Sequence, residues 1–504
     1  MTAPIKTREN GNTNNKLGGI ARAIHPHFHS SEYLMHKFWS RKPHNIVATY
    51  ITAFSQEGDV VLDPFGGSGV TINEALHLDR KGISVDINPL STFIARNMLA
   101  SVDVEAFERI AMKILDSARL EIEGFYQTSC PACGEAATIT HVIWKDMHVC
   151  DCGTSFPREQ DGQNKNTIFC PSCNQNIQDM SLDARPITMY IECECKGADQ
   201  KIPTKKDIDF ALSFKNSPDY VNALEIMPSL TMELTYPTGK RFQQLRHQLI
   251  QDPRLLNLFT SRNLLALFKI YQQIEATCDG DTTARKMRQE LMFLFSSMLP
   301  QASKMVWVIN RRSTRKIKRK QVGSWTHHFF WNPSEFFEVN VLNGFIHRLR
   351  KVKRGFKKSK AWHQGEKSWA IVHAGDPETW WLEKTPVVNA KKTVLRSIPP
   401  IKPRICDEST SFFTSNDEGK LNNALLLTQS AACMQDIPDS SIDYIFTDPP
   451  YGDSIQYLEL SSFFLAWIYP RSFKRLIIDI AKNEILINRK RNEIGRASCR
   501  ERVC

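Results

Sequence analysis

An apolar run that ends in a glycine-rich loop constrains the fold of this chain more than any other feature. Val60-Val61-Leu62 is followed by Gly66 to Gly69, by a helical pattern from Ile72 to Leu78, and by a second apolar run at Ile83-Ser84-Val85. A strand, a tight turn, a helix and another strand in this order form a parallel α/β unit. The sequence therefore predicts an α/β fold with a doubly wound, Rossmann-like sheet.

The loop after the first strand is a candidate ligand site. In Asp63-Pro64-Phe65-Gly66-Gly67-Ser68-Gly69 the glycines allow the backbone to approach a ligand, and the next helix offers unpaired amides at its N-terminus. Asp86 closes the second strand, where a carboxylate can accept hydrogen bonds from both ribose hydroxyls of a nucleoside cofactor. The loop alone would also fit a dinucleotide or an ordinary tight turn. The aspartate favours a nucleoside cofactor.

The α/β pattern returns near the end of the chain. Leu425-Leu426-Leu427 and Ile442 to Phe446 are predicted strands, and a helix is predicted from Gln456 to Ile468. Thr447-Asp448-Pro449-Pro450-Tyr451-Gly452 follows the second of these strands, and its two prolines cannot extend the strand, so the loop is rigid. A surface turn or a polyproline segment is the simpler alternative. The strand before it and the helix after it favour a functional loop at the ligand-binding edge of the sheet.

Four close cysteine pairs form a twofold repeat between these two α/β segments, in a chain that shows no secretory segment. Two pairs of thiolates complete a tetrahedral Zn²⁺ site with no open position for water, so two structural zinc ribbons are expected. Iron–sulfur ligation is the alternative chemistry. The preferred grouping takes the pairs in sequence order, and a crossed grouping is the alternative. In sequence order the sites are Cys130, Cys133, Cys150 and Cys152, then Cys170, Cys173, Cys193 and Cys195.

The remainder of the insertion combines helices with basic segments. Leucine, phenylalanine and methionine at three- and four-residue spacing predict paired helices between Asn263 and Met298. Two basic runs follow, Arg311 to Lys320 and Arg348 to Lys360, and we expect them to track phosphates while Trp325 or Trp331 stacks on bases. A solvated loop is the alternative for these runs.

Composition and charge narrow the classes of protein. With 41% hydrophobic and 24% charged residues the chain is globular rather than disordered or fibrous. The polar start and the absence of an apolar run of about 18 residues exclude a membrane span, so a cytoplasmic location is expected. A net charge of +11 favours a nucleic-acid partner, although a merely soluble basic surface would carry the same charge.

The two loops together resemble those of the amino-methyltransferase family of DNA methylases, the N-4/N-6 type. Segments within Phe259 to Ser297, at Glu338-Val339-Asn340 and at Tyr457 to Ser461 are similar to a large zinc-containing bacterial subgroup of that family. The resemblance implies an S-adenosylmethionine site and a catalytic Asp-Pro-Pro-Tyr loop. The segment from His36 to Pro43 is similar to one that closes over the methionine end, although a capped helix start is its alternative. The implied cofactor residues are Lys42, Pro43, Asp63, Phe65, Gly66, Gly67, Ser68, Gly69 and Asp86, and the implied catalytic residues are Asp448, Pro449, Pro450 and Tyr451.

This resemblance implies methyl transfer to the exocyclic amine of adenine (N6) in DNA, with cytosine (N4) as the second choice. Such an amine is a poor nucleophile because its lone pair is conjugated into the ring. Asp448 and the carbonyl of Pro449 could each accept one amine proton while Tyr451 stacks on the extruded base. An RNA base methyltransferase and a zinc-dependent nucleic-acid-binding protein with an inactive methylase core are the alternatives. A restriction or phage-defence partner would suit this family, whereas the sequence gives no oligomeric state.

The expected organisation is a methyltransferase core split by a long insertion. The final twelve residues look like the in-frame translation of a sequencing adapter, so the natural chain is expected to continue beyond a catalytic domain that stops partway. The predicted segments are 1–126 for the first part of the core, 127–200 for tandem zinc ribbons, 201–420 for a helical and basic insertion with target recognition, 421–492 for the second part of the core, and 493–504 for the adapter-derived tail.

Overall fold

A computed structural model gives the fold of most of the chain. It describes residues 24–157, 168–177, 182–233, 254–310, 320–325, 328, 330–331, 333–363, 403–413, 423–450, 455–484, 487–488 and 493–494. The helices are α1 His44–Phe54, α2 Val70–His77, α3 Pro89–Leu99, α4 Val104–Ile122, α5 Lys205–Ser213, α6 Pro218–Ile226, α7 Ser261–Gly280, α8 Thr282–Lys286, α9 Arg288–Ala302, α10 Val341–His363, α11 Ser409–Phe413, α12 Tyr457–Ile468 and α13 Phe473–Asn483.

The strands fall into two main sheets and three short pairs. They are β1 Val60–Asp63, β2 Lys81–Val85, β3 Gln127–Ser129, β4 Ala136–Val149, β5 Ser155–Pro157, β6 Ile168–Phe169, β7 Asn176–Ile177, β8 Leu182–Glu192, β9 Gln200–Lys201, β10 Val308–Asn310, β11 Lys320–Val322, β12 Glu335–Val339, β13 Ile405–Cys406, β14 Ala424–Leu427, β15 Tyr444–Ile445, β16 Ile487–Asn488 and β17 Glu493–Ile494. The short pairs are β6 with β7, β10 with β11 and β16 with β17.

The first sheet is parallel and has the order β13-β14-β2-β1-β15. Leu425 of β14 lies beside Ile83 of β2, and Tyr444 of β15 lies beside Val61 of β1. Helices α2 and α3 cover one face, and the short helix α11 packs on the other. Strands covered on both faces are mostly apolar, as in Val60-Val61-Leu62 of β1 and in all of β14. The prediction of an α/β fold with a parallel sheet is confirmed.

The second sheet is antiparallel, with the order β12-β4-β8-β9 and with β3 and β5 also paired to β4. Its centre is the long ladder between β4 and β8, in which Thr138 lies opposite Glu192 near one end and His148 opposite Leu182 near the other. The loops that carry the cysteine pairs leave both ends of this ladder.

A buried ion pair joins the second sheet to the helices. Arg262 on α7 contacts Glu338 on β12, and both side chains are almost completely inaccessible to solvent. The indole Nε1 of Trp144 donates to the same carboxylate at 2.7 Å, and the Thr260 hydroxyl donates to its other oxygen. Four hydrogen-bond donors thus compensate a carboxylate that would otherwise be very costly to bury.

Helices α4, α7, α9 and α10 pack together, and their apolar core continues into α12 and into the segment before α1. The predicted paired helices are present as α7 to α9. Trp325 and Trp331 lie inside this core, so the prediction that one of them stacks on bases is wrong. The reason is their packing: Trp325 contacts the rings of Trp39 and Phe463.

The structure describes only part of the two basic runs that were predicted to track phosphates. Residues 311–319 of the first run lie outside the described residues. The second run, Arg348 to Lys360, lies on α10 rather than in a loop. None of the helices within the described ranges is long and apolar enough to cross a membrane.

Candidate functional site

Three predicted loops follow strands of the parallel sheet. Strand β1 ends at Asp63, β2 at Val85 and β15 at Ile445, so the loops emerge from the same edge. The amide of Gly66 donates to the carbonyl of Val85 at 2.9 Å and holds the first loop against the second strand. Gly69 caps α2 with a φ of 82°, and a Cβ there would lie 2.6 Å from that of Ala95. Only glycine satisfies both conditions.

Asp86 is positioned directly after β2. One carboxylate oxygen accepts the amide of Gly67 at 2.8 Å, and the other accepts the amide of Asn88 at 2.8 Å. Burial raises the pKa of Asp86 to about 6, and these two hydrogen bonds oppose the rise. Each carboxylate oxygen has lone pairs beyond the one that its backbone amide uses. The side chain also lines a cleft, so it can accept donors from a ligand.

The cleft brings the separated halves of the chain together. Its empty volume is about 820 Å³, which includes its open mouth and lies within the range of small-molecule sites. Three groups of predicted residues line it: Lys42; Phe65, Gly66, Gly67 and Ser68 of the first loop with Asp86; and Asp448 and Pro450 of the Asp-Pro-Pro loop. More than 350 residues of sequence separate the first loop from the last.

A segment before α1 forms a further wall of the cleft. Lys42 Nζ lies 2.8 Å from the carboxylate of Asp63 and 3.1 Å from the carbonyl oxygen of Phe65. Arg41 donates through Nε to the hydroxyl of Ser68 at 3.0 Å. Both cationic side chains therefore contact the glycine loop, and both also line the cleft.

Some predicted site residues do not line the cleft. Asp63 is fully buried beneath the loop, where Lys42, Thr71 and the amide of Phe65 all donate to its carboxylate. Pro43 is the N-cap of α1, as the capped-helix alternative predicts. Gly69 and Pro449 are also absent from the lining, and Tyr451 lies outside the described residues.

The sequence reasoning missed several lining residues. Phe38 stacks on Tyr457 with ring centroids 5.9 Å apart, and a Cβ at Gly67 would approach the Phe38 ring to 3.2 Å. Burial raises the pKa of Tyr457 to about 12; a hydrogen bond with Ser40 opposes the rise, and the nearby carboxylates of Asp86 and Asp448 add to it. Ser40, Asn88, Ser91 and Glu484 also face the cleft. The similarity of residues 36–43 to a cofactor-closing segment was the available indication for Phe38 and Ser40.

The eight cysteines form two clusters, but not in sequence order. Cys130 and Cys133 meet Cys193 and Cys195, and within this cluster Sγ atoms of different pairs approach to 3.6 Å. The other cluster contains Cys150, Cys152, Cys170 and Cys173, with contacts between pairs of 3.5 and 3.6 Å. The preferred sequential grouping is wrong, and the crossed grouping is the one observed.

The antiparallel pairing of β4 with β8 explains this crossed grouping, in which one cluster is nested within the other along the sequence. The first cysteine pair precedes β4 and the last follows β8, so both lie where the start of β4 meets the end of β8. The second pair follows β4 and the third precedes β8, at the opposite end. The clusters are therefore ends of one ladder rather than consecutive units. All four sulfurs of each cluster lie within 4.8 Å of one another. Zn–S bonds of about 2.3 Å in a tetrahedron would require about 3.8 Å.

The fold and this edge define an α/β protein of the Rossmann-like class with a ligand cleft at the carboxyl ends of its parallel strands. Residues 5–95 match the family model for DNA methylase. This stretch of the chain is therefore similar to the DNA methylases of the N-4/N-6 type. It is 44% identical over 62 residues to the Type II methyltransferase M.HpaI of Haemophilus parainfluenzae, a stretch that covers 12% of this chain and 20% of that protein.

A second relative is the Type II methyltransferase M.MjaII of Methanocaldococcus jannaschii, 27% identical over 74 residues. This stretch covers 15% of the chain and 14% of the relative. The chain thus matches a fifth or less of the length of these curated proteins. No solved structure matches the chain significantly.

Proposed function

We propose that the chain is an S-adenosylmethionine-dependent DNA methyltransferase that acts on the exocyclic amine of adenine. The observation that carries this proposal is the shared cleft, in which the glycine loop and Asp86 face the same space as Asp448 and Pro450. The match to the DNA methylase family model and the similarity to Type II methyltransferases support a DNA substrate. Cytosine is the alternative base.

The cofactor, when bound, supplies a methyl group activated by a sulfonium centre. Asp86 would accept its ribose hydroxyls, because its carboxylate faces the cleft with lone pairs available. The backbone of Gly66 and Gly67 would lie against the ligand. Arg41 and Lys42 would face the carboxylate of its methionine end with positive charge.

The catalytic part of the proposal rests on Asp448, Pro449 and Tyr451. The carboxylate of Asp448 and the carbonyl of Pro449 would each accept a hydrogen bond from the amine, which directs the nitrogen lone pair toward the methyl group. As the nitrogen bonds to the methyl carbon, the bond from that carbon to sulfur breaks, and the carboxylate of Asp448 would take the proton that the nitrogen loses. The target base must leave the duplex to reach a cleft, and Tyr451 would stack on it there. This mechanism needs no covalent intermediate with the protein.

The two cysteine clusters would hold structural Zn²⁺. A four-thiolate set leaves no open position for water, so neither metal would take part in methyl transfer. Instead, one metal at each end of the β4–β8 ladder would cross-link the segments that flank the two strands there. Residues 127–200 would then be one double-ended zinc unit, and residues 201–420 would contain target recognition. We further propose that the protein acts in the cytoplasm.

The first experiment measures tritiated methyl transfer from S-adenosylmethionine to DNA by the zinc-loaded chain, followed by digestion to nucleosides. We expect label in N6-methyl-2′-deoxyadenosine. Asp448→Ala should abolish this label but keep cofactor binding, because Asp86 and the glycine loop are intact. Asp439→Ala removes an exposed carboxylate nine residues earlier and should have no effect.

Other outcomes assign the alternatives. Label in N4-methylcytosine would change the base, and label in RNA alone would make the substrate RNA. Cofactor binding with no transfer to either polymer would instead support a nucleic-acid-binding protein with an inactive core.

A further inference from the structure

Helix α10 carries an unbalanced positive charge. No aspartate or glutamate occurs between Glu338 and Glu366, a stretch that contains the whole helix. One face of α10 is apolar and includes Val341, Phe345, Val352 and Phe356, all buried against neighbouring helices. The helix is therefore anchored to the protein, and its basic residues must occupy the remaining circumference.

Three of these basic residues have internal partners. The Arg348 guanidinium is buried, where it donates to the hydroxyl of Ser297 at 3.1 Å and to the carbonyl of Met35. Lys353 pairs with Glu108, and Lys360 lies 3.5 Å from Glu105, both on α4. These three residues hold α10 in place.

The exposed basic residues of the helix form one stripe, which we call the α10 stripe. Its members are His347, Arg350, Lys351, Arg354 and Lys357. At 3.6 residues per turn these positions lie within an arc of about 120° and extend over about 15 Å along the helix. None of them forms an ion pair with another residue in the part of the chain that the structure describes.

The positive charges in and beside the stripe lower one another's affinity for protons. Partial burial lowers the pKa of Lys351, and the neighbouring guanidinium groups of Arg348 and Arg354 lower it further. The pKa of His347 is lowered in the same way, with contributions from Lys351, Arg348 and Arg350. An anionic partner would relieve this repulsion.

The stripe suits the backbone of a nucleic-acid duplex. One DNA strand places a phosphate about every 3.4 Å along the helix axis, so a stripe of about 15 Å spans about four phosphates of one strand. Four permanent cations on a rigid helix match that number. An isolated anion would need only one or two of them.

The position of α10 links the stripe to the cleft. Gly355 packs against Met35, and Arg348 donates to the carbonyl of the same residue. Six and seven residues after Met35 the chain reaches Arg41 and Lys42 in the wall of the cleft. The helix that carries the stripe is thus packed, through its buried side, against the segment that leads into the wall of the cleft.

We propose that the α10 stripe is the surface that binds the phosphate backbone of duplex DNA, while Arg348, Lys353 and Lys360 serve only to hold the helix. This inference rests on the proposed function, because it takes DNA to be the substrate. It divides a continuous basic run into contacting and structural residues, which the sequence alone does not do.

The test measures binding of the full chain to a fluorescent DNA duplex by anisotropy over a range of salt concentrations. The stripe variant is Arg350→Gln, Lys351→Gln, Arg354→Gln and Lys357→Gln. Because these four side chains would no longer neutralise phosphates, the slope of log K against log salt should fall in magnitude by about 3.6. The weakening should be the same for unrelated DNA sequences.

Two controls accompany this variant. A charge-matched variant changes four exposed lysines elsewhere, Lys205→Gln, Lys206→Gln, Lys215→Gln and Lys286→Gln, and should keep the wild-type slope. Arg350→Gln with Arg354→Gln removes only two of the charges and should lower the slope in magnitude by about 1.8, which gives the result if the fourfold variant fails to fold. Equal weakening in the stripe and charge-matched variants, or an unchanged slope in the stripe variant, would overturn the inference. Stripe-dependent binding to duplex RNA but not to DNA would overturn it as well.

Methyl transfer measured in the same samples at saturating DNA and low salt separates this inference from the proposed function. If the wild-type chain transfers methyl groups but the stripe variant binds DNA normally, only the present inference fails. If binding depends on the stripe and no methyl transfer occurs, the inference stands and the proposed function fails.

Discussion

The carboxylate of Asp86 accepts the backbone amide of Gly67 at 2.8 Å. This contact joins the glycine loop after β1 to the residue that follows β2, so the two loops keep one arrangement at the mouth of the cleft. The same carboxylate faces the cleft and is proposed to hold a ribose. Its protonation state should therefore control ligand binding.

We expect the affinity for S-adenosylmethionine to rise with pH through about 6 and to be constant above it. The pKa of Asp86 is about 6, and the protonated form loses part of its ability to accept hydroxyl donors. Asp86→Asn should weaken binding roughly 10- to 100-fold at pH 7, as for one charge-assisted hydrogen bond of about 1.5–3 kcal/mol. Calorimetric titration from pH 5 to 8 checks both. A pH dependence that persists in the variant would assign the proton to another group.

Removal of Lys42 should destabilise the fold as well as the site. Asp63 is fully buried, and Lys42 lies 2.8 Å from its carboxylate. Lys42→Met would leave a buried charge without its cation, which costs roughly 3 kcal/mol. Urea unfolding should show this loss, and Asp63→Asn added to Lys42→Met should restore part of it. The exposed Lys474→Met is the control and should leave the unfolding midpoint unchanged.

Two cysteine variants distinguish nested from sequential zinc sites. Cys130→Ser with Cys193→Ser damages one nested cluster but both sequential ones, so one zinc per chain should remain. Cys130→Ser with Cys150→Ser damages both nested clusters but one sequential site, and no zinc should remain. Elemental analysis of the purified proteins gives the count. The opposite pattern would contradict the observed grouping.

Loss of Arg262 should be more harmful than loss of the whole ion pair. Arg262→Met leaves Glu338 buried with only Trp144 and Thr260 as donors, and we expect the free energy of unfolding to fall by about 3–5 kcal/mol. Glu338→Gln added to Arg262→Met removes the uncompensated charge and should recover much of the loss. Equal destabilisation in the single and double variants would show that packing of the Arg262 side chain dominates.

Local patterns in the sequence predicted the parts of the fold that depend on near neighbours. The strand, glycine loop and helix at residues 60–78 lie where expected, and Asp86 follows the next strand. These features are encoded by residues a few positions apart, through glycine geometry and hydrophobic periodicity.

The pairing of the cysteines and the environment of the tryptophans depended on distant segments. Nothing within residues 130–152 indicates that β8 will run antiparallel to β4, yet that register decides which thiols meet. Trp325 follows a basic run in the sequence but packs on Phe463, which is contributed by a helix 138 residues later. Side chains brought together by tertiary packing leave no periodic pattern.

The interleaved order of the parallel sheet has a consequence for biosynthesis. Strand β2 pairs with β14 and β1 with β15, so the first two strands acquire their outer neighbours only after some 340 further residues have been made. At about 5–20 residues per second a ribosome needs roughly 17–70 s for that length. During this interval the nascent β1–β2 pair exposes two unprotected edges, and the intervening segments are free to fold first. The glycine loop between β1 and α2 is thus among the first elements translated and among the last to be enclosed.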